Sequence, residues 1–285
     1  MLGGLLINKP EGVPSFQTVR EVKRILGIRV GHTGTLDPFA EGLMLLLVGK
    51  ATKLQRFVHM RNKTYTGRIS FGILTDTLDP TGTIIRKEKV SIEPNSLIRE
   101  VNSFVGEYEQ RPPIYSALKV NGVRAYLLAR RGERFRLKKK KVLIKSFSIT
   151  SVDTDWADFE IEVSSGTYIR SIARDIGLKM GTDAILERLK RVKIGEFSLD
   201  NAIDCDALSA DTIKHSLIPP RRILSILKSV EVKREEIESL IKGNTVETAL
   251  LEGFYKTVFD GEIFVVSVKD KKMKYYMRID EDSKI

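Results

Sequence analysis

Residues 31–48 impose the tightest condition on what this chain can fold into. They read Gly-His-Thr-Gly-Thr-Leu-Asp-Pro-Phe-Ala-Glu-Gly, followed without a break by Leu-Met-Leu-Leu-Leu-Val. The apolar run, residues 43–48, is long enough for a buried strand and too short to cross a membrane. Gly31, Gly34 and Gly42 let the loop before it take positive φ angles and approach a ligand closely. Pro38 fixes a turn and biases Asp37, the only carboxylate of this run before Glu41, toward an extended conformation. Asp37 therefore stands on a stiff loop feeding a core strand, a sound way to present one carboxylate at a fixed place. Asp-Pro is also a common helix start, with Asp as cap and Pro as first helical residue, and the dipeptide alone does not separate the two.

At 285 residues the chain is sized for one large domain with a small second one, or for two ordinary domains. Hydrophobic residues at 42% and charged residues at 30% are those of a soluble globular protein. Leu5-Leu6-Ile7 is interrupted at once by Asn8 and Lys9, which speaks against a signal peptide, and no apolar run reaches membrane-spanning length. Cys205 is the single cysteine, so an internal disulfide and a multi-cysteine zinc site are excluded. With His32, His59 and His215 widely spread, the expectation is a cytoplasmic protein that works without a bound metal. The net charge of +11 points to a polyanionic partner. Between residues 119 and 145 there are eleven Lys or Arg against one acid, Glu133, a local excess suited to salt-dependent phosphate contact.

Taken in order, residues 3–8 read as a strand and 9–12 as a turn. Ser15 is placed to cap a helix whose apolar positions Phe16, Val19, Val22, Ile25 and Leu26 recur at helical spacing, with Gly27 as its stop. Val48-Gly49-Lys50-Ala51-Thr52 has a faint likeness to a phosphate-binding loop. Met44 and Ala51 stand where that loop requires Gly and Ser or Thr, so it is rejected. A helix over 52–60 precedes an alternating strand over 63–72, with Tyr65, Gly67, Ile69 and Phe71 on one side. Residues 75–82 form a polar loop in which Asp79 is a second acidic candidate, better suited to a turn. Further helices are predicted over 94–105, over 123–131 with Tyr126 and Leu127 on the apolar face, and over 168–178. Strands are predicted over 142–150 and 157–163. The basic stretch 134–141 is poor in apolar residues and is expected to order on RNA. Pro219-Pro220 marks a boundary, beyond which residues 257–277 suggest a small β domain.

Several strings now carry a resemblance. Gly-His-Thr-Gly-Thr-Leu-Asp-Pro at 31–38, Pro-Pro-Ile-Tyr-Ser-Ala at 112–117 and Gly-Thr-Tyr-Ile-Arg at 166–170 resemble signature motifs of the TruB family of tRNA pseudouridine synthases. Lys9-Pro10, Lys63-Thr64-Tyr65 and Leu186-Glu187-Arg188-Leu189-Lys190-Arg191 extend the likeness across residues 3–200, although Lys190 stands where the family usually has Arg. The resemblance implies an α+β fold with a mixed, largely antiparallel central sheet flanked by helices. It places the catalytic domain over residues 1–220, a basic RNA-binding arm inserted near 113–142, and a small β-rich PUA-like RNA-binding domain over 221–285. The last of these rests on a Gly243-Asn244 turn and strand spacing.

The resemblance also makes Asp37 the catalytic residue, Arg170 its guanidinium partner, and Tyr65 the platform beneath the target base. Tyr168 is expected beside that pair and Leu189 over the uracil, with Lys9 and Lys63 near the substrate and His32 in the stacking place the base vacates. A neighbouring guanidinium would keep Asp37 ionised against burial, and a buried Asp37–Arg170 pair is the expectation. RNA phosphates are expected to meet Arg124, Arg130, Arg131, Arg134, Lys138, Lys139, Lys140 and Lys141. The implied reaction turns uridine 55 of the tRNA T-loop into pseudouridine, on a monomer, with no cofactor, metal or membrane. A guide-dependent synthase and a non-catalytic RNA-binding or RNA-folding protein are the alternatives. A hydrolase would need a second carboxylate, for which only Glu41 and Asp79 are near in sequence.

Overall fold

The computed structural model describes residues 2–279. β1 (Gly3–Lys9) leads into α1 (Ser15–Leu26), the short β2 (Val30–His32) and β3 (Glu41–Val48), which is the apolar run. β3 is buried on both faces, which explains why no polar residue interrupts it. Met44, Leu46 and Val48 enter one core with Val22 of α1, while Leu43, Leu45 and Leu47 enter a second core on the opposite face. A 3-10 turn (Gly49–Leu54) and the short α2 (Gln55–His59) replace the single helix expected over 52–60.

β4 (Lys63–Phe71) is followed by a hairpin of β5 (Ile73–Thr75) and β6 (Ile84–Lys87), then α3 (Pro94–Asn102) and β7 (Gly106–Gln110). The inserted segment holds a small hairpin, β8 (Lys119–Val120) with β9 (Val123–Arg124), and α4 (Ala125–Arg130). β10 (Lys140–Val152), β11 (Trp156–Val163), α5 (Ile169–Lys179), β12 (Ala184–Ile194), β13 (Phe197–Ser198) and β14 (Ile203–Asp204) complete the first body. One ten-stranded sheet runs β14-β1-β3-β12-β4-β11-β10-β7, with β13 on β12 and β2 on β3. Only β3–β12 and β1–β14 are parallel, so the sheet is mixed and largely antiparallel, as expected.

Ile218 and Gly4 exchange two backbone hydrogen bonds of 2.8 Å, tying the chain to β1 where it leaves the first sheet. A separate five-stranded sheet follows, formed by β15 (Lys228–Ser229), β16 (Val246–Glu247), β17 (Gly253–Phe259), β18 (Glu262–Lys269) and β19 (Lys272–Ile279). Ile263, Val265 and Ile279 enter the same core as Leu43, Leu45 and Leu47. The Arg56 guanidinium stacks 4.2 Å from the Phe254 ring centre and donates to Tyr276 Oη at 2.9 Å. The two sheets thus share a core.

Local differences from the sequence expectations have physical causes. Pro14 occupies the cap of α1, and Ser15, its first residue, turns its hydroxyl to another segment altogether. Phe16 is 61% exposed and lies off the buried face of that helix, which Ser15, Thr18 and Val22 form. α4 is shorter than predicted and buries Ala125 and Leu128, not Tyr126 and Leu127. Lys140 and Lys141, expected in a poorly ordered stretch, open β10 because Gln110 and Glu109 of β7 pair with them.

Gly42 sits at the joint between the Asp37 loop and β3, with φ +102°. A Cβ there would lie 2.5 Å from the carbonyl oxygen and 2.9 Å from the nitrogen of Arg191 across the parallel β3–β12 pairing. Gly42→Ala is expected to destabilise the protein by about 1–3 kcal/mol, read as a lower urea midpoint. An unchanged midpoint would show that this close approach is not required.

Candidate active site

Residues 33–40 leave β2 and return as β3, and other parts of the chain pin them in place. Ser15 Oγ donates to the Leu36 carbonyl at 2.7 Å and accepts from the Leu36 N–H at 2.9 Å. Lys9 Nζ donates to the carbonyls of Val13, Pro10 and Pro38 at 2.6, 2.8 and 3.3 Å. Arg191 donates from Nε to the Leu43 carbonyl at 2.7 Å and from Nη2 to the Gly34 carbonyl at 3.0 Å. The backbone is held on both sides of Asp37.

Arg170 reaches that carboxylate from the first turn of α5. Its Nε lies 2.9 Å from Asp37 Oδ2 and its Nη1 lies 3.1 Å from Asp79 Oδ2. The same guanidinium donates to the carbonyls of Thr77 at 2.8 Å and Tyr115 at 3.1 Å. The α5 N-terminus is fixed through Tyr168, whose backbone N–H and carbonyl bond the Gln110 amide at 2.8 and 2.9 Å. Arg170 itself is buried, but the Asp37 side chain keeps 39% of its surface open, so the pair is buried on one side only. The expected buried pair is therefore buried at Arg170 and partly open at Asp37, because the loop presents the carboxylate to a cavity.

That cavity has a volume of about 710 Å³ and brings together Asp37, Arg170, Tyr65, Tyr168, Leu189 and His32. Lys63 also borders it, but its ammonium is buried and donates to the carbonyls of Arg61, His59 and Val58 at 2.6, 3.3 and 3.4 Å. Burial lowers the Lys63 pKa to about 8, helped by the Arg191 and Arg61 charges. Lys9 is no turn lysine: it ends β1, is fully buried and lies beneath the loop, and burial brings its pKa to about 8. His32 is pushed below its ordinary value by burial and by the Arg191 charge. Of the eight arm cations expected to touch RNA, Arg124 and Arg130 border the cavity. Lys139 and Lys141 lie exposed, 3.8 and 3.5 Å from Glu109 and Glu107 on the neighbouring strand, and Arg131 lies 3.7 Å from Glu133.

From the sequence Asp79 is only a second acidic candidate better suited to a turn, and Arg191 and Gln110 are given no role. Asp79 does shape its turn, accepting from Thr77 Oγ1 at 2.7 Å and the Thr81 N–H at 3.0 Å, but its second oxygen holds Arg170. Its place between two threonines in a polar loop gave only the turn signal. Arg191 is buried in β12, and the available sign was an arginine two positions from Leu189 on the inward side. Gln110 is also buried, at the end of β7, and the available sign was its place two residues before the Pro-Pro-Ile-Tyr-Ser-Ala string. Among the described residues, no group of three or more His, Cys, Asp or Glu is placed to hold a metal ion. Among them, too, no helix is long and apolar enough to cross a membrane.

The electrostatics of the site are unequal, with two carboxylates sharing one guanidinium. Burial raises the Asp37 pKa above the usual carboxylate value; Arg170 opposes this, and the nearby Asp79 charge adds to it. The ionised form of Asp37 is therefore lost at a higher pH, as pH falls, than for a free aspartate. Asp79→Asn should lower the Asp37 titration midpoint and Arg170→Gln should raise it, followed by NMR of the side-chain carboxyl carbon. Equal midpoints in both variants would mean that the three charges are not coupled.

A model of the TruB family pseudouridylate synthase N-terminal domain matches residues 22–169. A tRNA pseudouridine synthase B of Clostridium kluyveri is 36% identical over 284 residues, covering 97% of this chain and 98% of that protein. The protein of the same name from Thermosipho melanesiensis is 41% identical over 245 residues, covering 86% of this chain and 80% of its own. Among solved structures, the Cbf5 complex with Nop10 and Gar1 shares the fold, with a TM-score of 0.72 at 19% identity over 97% of this chain and 84% of that one. With the carboxylate, its guanidinium partner and the bordering aromatics in one cavity, and relatives this similar along nearly the whole chain, the protein belongs to the TruB family of pseudouridylate synthases.

Proposed function

We propose that this protein converts uridine 55 in the T-loop of tRNA to pseudouridine, with Asp37 as the catalytic residue. The observation that carries the proposal is the Asp37 carboxylate, held 2.9 Å from Arg170 and open to a cavity that Tyr65 and Leu189 also border. The reaction is an isomerisation: the C1′–N1 bond breaks, the uracil turns, C5 joins C1′, and the proton lost from C5 is balanced by one gained at N1. The uridine must first leave its stack, which costs about a few kcal/mol. Stacking on an aromatic side chain returns on the order of 1–3 kcal/mol, and Tyr65, buried in the cavity wall, is the platform.

Each further residue has a place in this reading. Tyr168 and Leu189 shape the base pocket, and His32 fills the stack the uridine leaves. Arg124 and Arg130 meet phosphates from the arm, while Arg131, Arg134 and Lys138 extend the basic surface away from the cavity. The C-terminal sheet supplies a second RNA contact. The protein acts as a monomer in the cytoplasm.

The test is release of tritium from 5-tritiated uridine in a tRNA transcript. Wild type should release one tritium per tRNA, and Asp37→Asn should release none while binding tRNA with nearly unchanged affinity. Equal loss of binding and turnover in Asp37→Asn would make Asp37 a structural residue. No release by the wild type would remove the enzymatic reading.

A further inference from the structure

Phe16 has the spacing of a core residue but stands in solvent, 61% exposed. A single exposed apolar side chain needs no explanation by itself. This one borders the cavity of Asp37, together with Pro14 and Ser15. Its mounting is rigid, because the residue before it makes both hydrogen bonds to the backbone of Leu36, one position ahead of Asp37. An aromatic ring carried on so fixed a backbone loses little freedom when a flat partner settles on it.

The side of α1 that carries Phe16 continues in one direction only. Arg20 and Lys23 are exposed and follow at helical spacing, four and seven residues on. Arg24, on the last turn, is engaged with Glu21 at 2.6 Å. The result is an aromatic at the cavity rim followed by cations leading outward along the helix. A base with its adjoining phosphates has the matching order of chemistry: a π-face, then negative charge. This stripe belongs neither to the basic arm, whose Arg124 and Arg130 border the same cavity from the inserted segment, nor to the C-terminal sheet.

We propose that Phe16 is a stacking platform for a nucleobase adjoining the everted uridine, and that Arg20 and Lys23 follow the RNA backbone away from the cavity. The inference rests on RNA being the substrate, and it deepens that reading by adding a second recognised nucleotide. Sequence tolerance follows, since every base has a π-face.

The test compares Phe16→Ala, Phe16→Leu and Phe16→Tyr on a T stem-loop. Phe16→Ala should raise KM on the order of tenfold, as one lost stack predicts, with kcat within about twofold. Phe16→Leu should behave like Phe16→Ala, and Phe16→Tyr like wild type. On stem-loops with an abasic residue on the relevant side of the target, wild type and Phe16→Ala should have equal KM. Arg20→Gln should lower the salt dependence of binding by about one counter-ion. An unchanged KM in Phe16→Ala, or full retention by Phe16→Leu, would overturn the proposal. Binding gives an independent readout: Trp156 is the only tryptophan, so Phe16→Trp in a Trp156→Phe chain reports on the rim alone. Its fluorescence should be quenched by the stem-loop and not by the abasic form. If wild type turns over no tRNA, the enzymatic reading falls, while this quench still decides whether a base stacks on residue 16.

Discussion

The guanidinium of Arg170 is the joint on which the site depends. It ties together the Asp37 loop, the turn of Thr77 and Asp79, the segment of Tyr115 and the start of α5, four stretches far apart in sequence. A buried arginine is tolerated only where its donors are met, since an uncompensated buried charge costs several kcal/mol. Here Nε and Nη1 face carboxylates while Nη1 and Nη2 also meet carbonyls, a planar fork that a lysine ammonium does not reproduce. Because one cation is divided between two acids, neither is fully neutralised. Both border the cavity, and Asp37 is the open one, with 39% of its side chain exposed against 5% for Asp79.

Around this joint the protein uses buried basic side chains as clips on irregular backbone. Loops that bend around a site leave carbonyls without ladder partners, and each of these must be satisfied. Lys9 serves Val13, Pro10 and Pro38; Arg191 serves Leu43 and Gly34; Lys63 serves Arg61, His59 and Val58. Burial of these charges is unfavourable, and the two lysines show it in pKa values brought to about 8. The choice has a second effect. Their hydrogen bonds go to neutral carbonyls, so these partners do not cancel their charge.

How much of this was legible in the sequence follows from how local each signal is. β3 could be read because its apolar run and the loop before it are contiguous, and Asp37, Tyr65 and Arg170 because each sits in a recognisable string. Helix ends were less legible. Ser15 has the chemistry of a cap, yet its hydroxyl bonds both the carbonyl and the N–H of Leu36, a partner that only the tertiary fold supplies. Phe16 matched the helical period of the core, but the period does not fix the edge of the buried stripe, and Phe16 falls just outside it. Asp79, Gln110 and Arg191 act through pairings that span 91, 58 and 157 positions, namely with Arg170, Tyr168 and Gly34. No window along the chain contains both members of such a pair.

The second core gives the C-terminal sheet a structural part in the site. β3 presents Leu43, Leu45 and Leu47 on the face away from α1, and without a covering layer those side chains would meet water at about 25 cal/mol for each Å² exposed. Ile263, Val265 and Ile279 supply part of that layer, and Phe57 links it to Phe254 and Tyr276 through edge-on ring contacts. Asp37 is carried by the loop that enters β3, and β3 pairs with β1 and β12 and is buried on both faces. The small sheet therefore bears, through that strand, on the loop that carries the carboxylate. A chain cut after residue 220 would lose more than a contact surface, because Ile223, Leu224, Leu227, Ile263, Val265 and Ile279, all buried in the core that Leu43, Leu45 and Leu47 share, lie beyond the cut.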